Sequence, residues 1–228
     1  MKIDRLNCEV KIDGKVAQPS RVVVEQHSFC LPFCSLLLSG ENRRGDAAGQ
    51  SVSVSLNRKR IFSGSILGVG RERGGELLKC GHNLAPSKTN FRKEKAKYIF
   101  GDLVKQSKVE DAAAEIPDVE FPHFHCSGGG WANLMSFTKT LEDFSHAPYD
   151  LFFDSEGALN LIPMPSKGSA QIEFKRGVNA LLIGYKRLKA FPIPLRYGDF
   201  IGISEGVFRV WGLRYVISPR DSLMEVVF

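Results

Sequence analysis

The centre of the chain, from Lys97 to Ile162, reads as helix, loop, helix and hairpin, whereas the sequence on either side reads as short β-strands. A chain divided in this way is α+β, mainly β, with a helical and hairpin element set between β-rich parts. Between Lys97 and Ser107, Ile99, Phe100, Leu103 and Val104 fall three and four apart, which places them on one buried stripe of a helix. An acidic connection broken by Pro117 and Pro122 follows. Gly128, Gly129 and Gly130 then lead into Trp131, Leu134, Met135, Phe137, Leu141 and Phe144, again at helical spacing, and Pro148 stops this second helix. Burying each large side chain is worth roughly 1.5–3 kcal/mol, which outweighs the modest helix propensity of its Trp, Phe and Thr positions. Leu151, Phe152 and Phe153 are joined to Ala158, Leu159, Leu161 and Ile162 by Asp154-Ser155-Glu156-Gly157. This predicts a β-hairpin whose Gly157 takes the positive φ of the turn.

The flanks divide the chain further. Residues 1–95 predict an N-terminal β-barrel-like domain with strands over Ile3 to Ile12, Arg21 to Glu25, Ser51 to Leu56, Arg60 to Val69 and Glu76 to Cys80. Ser51 to Leu56 alternates most cleanly, with Val52, Val54 and Leu56 on one face and serines on the other. The polar run Ser39 to Gln50 predicts a loop, and Arg71-Glu72-Arg73-Gly74-Gly75 a hairpin turn. Residues 96–165 hold the helix-loop-helix and the hairpin. Residues 166–228 return to strands over Gln171 to Phe174, Ala180 to Tyr185, Phe200 to Ile203, Val207 to Trp211, Arg214 to Ile217 and Met224 to Phe228, a second small barrel or sandwich.

Charge and cysteine content narrow the function classes. The net charge of +6 is concentrated from Arg58 to Lys97, where eleven Lys or Arg face three Glu for a net of +8, while the rest of the chain nets −2. Arg58, Arg60, Arg71, Arg73, Arg92, Lys93, Lys95 and Lys97 are therefore interface candidates, and the acidic run Glu110, Asp111, Glu115, Asp118 and Glu120 follows close behind. Such a pattern suits copies packing side by side as well as it suits nucleic acid. No apolar run approaches the roughly 20 residues of a membrane span, and Met1-Lys2-Ile3-Asp4 lacks a secretory core. Five cysteines, an odd number in a chain of 228 residues, favour a reducing compartment.

No catalytic frame stands out. His123-Phe124-His125-Cys126 puts two imidazoles on one side of an extended segment beside a thiol, a weak zinc motif with no fourth ligand nearby. Gly128-Gly129-Gly130 precedes a helix as a phosphate loop does, but lacks the lysine, the hydroxyl and the preceding parallel strand. Asp102, Glu142, Asp143 and Asp154 read as helix or turn residues. The expectation is a non-enzymatic protein without cofactor, with a basic nucleic-acid-binding module as the alternative and a zinc-dependent enzyme behind it.

The order of segments resembles the baseplate hub proteins of contractile phage tails, the late control protein D or Mu-type 43 kDa tail protein group, related to the hub of type VI secretion spikes. Arg60-Ile61-Phe62-Ser63-Gly64-Ser65-Ile66 is similar to that group's strand, Asp154 to Leu161 to its central hairpin, and Tyr197 to Ile203 with Gly206 to Trp211 to its closing strands. The resemblance implies two tube-type β-barrel domains around a helical element and a homotrimer matching a six-fold tail tube to a three-fold spike. Tube and spike proteins would be its partners. The chain would be in the bacterial cytoplasm during assembly and later in a virion tail or injection apparatus.

Overall fold

The computed structural model describes residues 6–28, 30–39, 47–72, 75–165 and 167–228. In chain order they form β1 (Cys8–Ile12), β2 (Lys15–Ala17), β3 (Arg21–His27), β4 (Phe33–Leu38), β5 (Ser51–Leu56), β6 (Lys59–Glu72), β7 (Gly75–Gly81), β8 (Ser87–Lys95), α1 (Ala96–Gln106) and β9 (Ala112–Ala114). Then follow β10 (Glu120–Gly128), α2 (Gly130–Ser145), β11 (Tyr149–Phe153), β12 (Leu159–Pro163), β13 (Ile172–Glu173), β14 (Ala180–Gly184), β15 (Arg187–Ala190), β16 (Phe200–Ile203), β17 (Gly206–Arg209), β18 (Gly212–Ile217) and β19 (Ser222–Val227). They group into two units, Met1–His82 with Lys167–Phe228, and Asn83–Ser166.

In the first unit eleven strands hydrogen-bond in the order β14-β15-β19-β18-β3-β4-β7-β6-β5-β1-β2. The expected boundary between 1–95 and 166–228 gives way here, because β18 pairs antiparallel with β3 and carries β19, β15 and β14 into the N-terminal sheet. The register explains the pairing. Leu213, Tyr215 and Ile217 lie opposite Gln26, Val24 and Val22, and all six are buried. On the other face Arg214 bonds Glu25 at 2.9 Å. The inward side chains of both flanks share a single core that includes Val24, Leu36, Val54, Phe62, Tyr215 and Val226.

The same ladder corrects the barrel expectation in part. Among the described residues no strand pairing joins β14 to β2, so the sheet is open rather than closed. Register shifts opposite Val54/Ser55 and at Ile66/Gly68 both place an extra residue on β6 and bend that strand. A three-stranded sheet, β13-β16-β17, adds Ile201 to the same core.

In the second unit both expected helices form within one residue of their predicted starts. α1 and α2 meet the β8–β10 pair through a cluster of rings. Phe137 lies 5.5 Å from Phe100, 5.6 Å from Phe121 and 5.9 Å from Phe124, centroid to centroid. α2 ends at His146, in the left-handed region at φ 54°, two residues before Pro148. The predicted hairpin is β11–β12, with Gly157 at φ 91°. Pro122 does not break the connection as expected. It lies inside β10, where the ladder skips the rung opposite Lys93 (φ 49°), and a two-stranded sheet has only edge strands to accommodate it.

Candidate assembly surfaces

Within the first unit the basic residues along β6 do not gather into one patch. Arg58 sits in the turn before β6 and Arg60 at that strand's start, while Arg71 lies eleven residues further along, roughly 35 Å of extended chain at about 3.3 Å per residue. Arg92, Lys93 and Lys95 belong to β8 and Lys97 to α1, in the other unit. Arg73 lies outside the described residues. Lys95 donates to Asp118 at 2.8 Å, and that bond holds its ammonium pKa above the usual value.

The histidine motif divides across its strand. His123 and His125 are exposed on one face of β10, and Nε2 of His123 lies 2.9 Å from Oδ1 of Asn90 on β8. Cys126 is buried on the opposite face with Phe124, so the thiol does not complete a zinc site with the imidazoles. The glycine run is likewise structural: a Cβ on Gly130 would stand 2.6 Å from the Ala85 carbonyl oxygen, so α2 begins against protein rather than over an open cradle. Three of the four carboxylates singled out by sequence organise the local chain. Glu142 accepts the Tyr149 N–H at 2.8 Å, Asp154 accepts those of Glu156 and Ala158, and Asp102 accepts from Gln106 one turn on. Burial pushes the Cys8 thiol up to about 11 and the Cys34 thiol, opposite Cys80, upward as well, which leaves them protonated and unreactive at neutral pH.

What stands out instead is strand edge. β14 ends the large sheet and is exposed on both faces, with Leu181 59 %, Ile183 40 % and the following Tyr185 88 % accessible. At the other end, β2 borders a groove of about 830 Å³ lined by Val10, Val16, Ala17, Phe191 and Ile217. In the second unit β9, all exposed, is the outer strand of β11-β12-β9. Sequence reasoning found β14 as a strand and passed over its exposure. The signal was three consecutive large apolar residues without alternation, bracketed by Lys175-Arg176 and Lys186-Arg187.

No family's sequence profile matches the chain, and no curated protein does. Solved structures do. The tail protein from Neisseria meningitidis MC58 superposes with a TM-score of 0.73 at 10 % identity, over 97 % of this chain and 95 % of that one. The 43 kDa tail protein of prophage MuSo2 from Shewanella oneidensis gives 0.72 at 9 % identity, over 96 % and 95 %. The E. coli c3393 protein, a component of the type VI secretion system with structural similarity to the T4 bacteriophage tail proteins gp27 and gp5, gives 0.64 at 9 % identity, over 95 % and 75 %. The chain therefore shares the fold of phage tail and type VI spike-related proteins, the group that the resemblance named.

Proposed function

We propose that this chain, folded like the 43 kDa tail protein of a Mu-type prophage, is a structural baseplate hub or tail-tip component of a phage tail or related injection apparatus. It joins tail tube to spike and works as a self-associated ring, a trimer in the simplest symmetry. The observation that carries this reading is the likeness to two tail proteins along nearly the whole of both chains. The open sheet supports it, since β14 and β2 leave backbone donors and acceptors for neighbouring subunits. The tube-type barrel geometry belongs to the same proposal, with the large sheet forming the wall that meets the tube. Arg92, Lys93 and Lys97, exposed on β8 and α1, are proposed contacts. The spread of the basic residues and the engagement of Lys95 by Asp118 favour protein contacts over a nucleic-acid track.

Co-expression with the tube and spike proteins of the same tail tests the assignment. The expected result is a ternary complex that survives 0.5 M salt. Failure to co-purify with either protein contradicts it.

A further inference from the structure

Among the strand edges that lack a partner strand in the described residues, two carry opposite charge. β14 is bracketed by Lys175 and Arg176 on one side and by Lys186 and Arg187 on the other, all exposed, and it presents Leu181, Leu182, Ile183 and Tyr185. The isolated bridge between Arg176 and Ala180 brings the first basic group beside the strand's start. β9 is bracketed by Glu110, Asp111 and Glu115, also exposed, around three alanines. Leu159 donates its N–H to the Asp111 carbonyl and Glu115 donates its own to Leu161, both at 2.9 Å. Alternation along the strand then turns the N–H and C=O groups of Ala112 and Ala114 outward.

We propose that β14 of one copy pairs with β9 of a second copy. This inference rests on the self-association in the proposed function and names the surface that performs it. Beyond Ala180, whose carbonyl accepts the Gly177 N–H at 2.9 Å, the backbone groups of each edge supply hydrogen bonds to the other. The small alanines leave room for the large side chains of β14, whose burial drives association. The charges select the partner. Pairing β14 with another β14 sets base against base, and pairing β9 with another β9 sets acid against acid, each unfavourable across a strand pair. Only the mixed pairing places Asp111 and Glu115 near Lys186 and Arg176. Because the two edges differ, the contact runs head to tail, and repeated copies form a ring when the rotation closes.

The test is a charge swap on the full chain, read as mass by light scattering across a concentration series, with circular dichroism confirming the fold. Arg176→Glu with Lys186→Glu, and separately Asp111→Lys with Glu115→Lys, are expected to raise the concentration for half-assembly about tenfold or more. All four substitutions together are expected to bring it back near the wild-type value. Unchanged assembly in both pairs, no recovery in the fourfold variant, or a wild-type chain that stays monomeric each overturn the contact. Sedimentation of a monomer with phosphatidylglycerol vesicles would overturn it in favour of a membrane surface. If both pairs assemble like wild type and still co-purify with tube and spike, this contact fails and the tail assignment stands. Loss of co-purification by the wild-type chain is the separate failure of that assignment.

Discussion

Tyr215 shows how one polar atom fixes an irregular segment. Its ring is fully buried, and its hydroxyl accepts the Leu195 N–H at 2.9 Å while facing the Leu195 and Ile193 carbonyls at 2.8 and 2.9 Å. Burial pushes its pKa upward, so it remains a neutral donor throughout the ordinary pH range. Tyr215→Phe removes these hydroxyl bonds while the Leu195 N–H keeps the Ile193 carbonyl at 2.8 Å, and is expected to cost about 0.5–1.5 kcal/mol, read as a lower urea midpoint with an unchanged slope. The neighbouring Asp199 has its carboxyl pKa raised, chiefly by burial, against the opposing pull of Arg196, whose N–H it accepts at 2.8 Å. A carboxyl raised by folding favours the folded state most below its unfolded pKa, about 3.9, and that contribution is lost as pH rises through the folded value. Asp199→Asn is expected to remove this loss, so the variant gains stability relative to wild type between about pH 4 and 7. Urea midpoints at both ends of that window check it, and a constant difference contradicts it. Neither role was legible in the sequence. Tyr215 is one residue of the Arg214 to Ile217 strand pattern, and Asp199 belongs to no motif of its own.

At the scale of elements, local pattern was a good guide wherever neighbours in sequence are neighbours in space. The Ser51–Leu56 strand has the predicted bounds because its alternation needs no distant partner to be recognised. The helices and the central hairpin follow for the same reason. β4 escaped notice because Phe33-Cys34-Ser35-Leu36-Leu37-Leu38 alternates in burial but not in composition. β10 was hidden by Pro122. The glycines before α2 divide the same way. Gly129 has φ −63° and nothing within 4 Å of a Cβ, whereas Gly130 lies against Ala85, Leu84 and Ser107. Gly129→Ala is therefore expected to be neutral or to stabilise by about 0.4–1 kcal/mol through the unfolded chain. Gly130→Ala is expected to destabilise by more than 1 kcal/mol, since a backbone carbonyl must move. Thermal unfolding of the two variants separates the packed glycine from the unhindered one.

For the whole molecule, the sequence conveyed class and segment order, but not the sheet that joins the two β-rich flanks. That pairing links Arg214 to Glu25, 189 residues apart, and no local pattern specifies a partner at such a distance. It also relocates the question of function. A basic stretch that looked like one surface is distributed over β6, β8 and α1, while the edges most open to association are short strands with no motif. The fold likeness to tail proteins holds despite identities near 10 % because burial pattern and strand order constrain a sheet more strongly than side-chain identity does. The most direct test of the central claim is the copy number of this chain in purified tail particles, by quantitative mass spectrometry against the tube protein. The account predicts a small fixed number per tail, a multiple of three, retained after high-salt washing. Absence from assembled particles, or a variable amount that washes away, would contradict it.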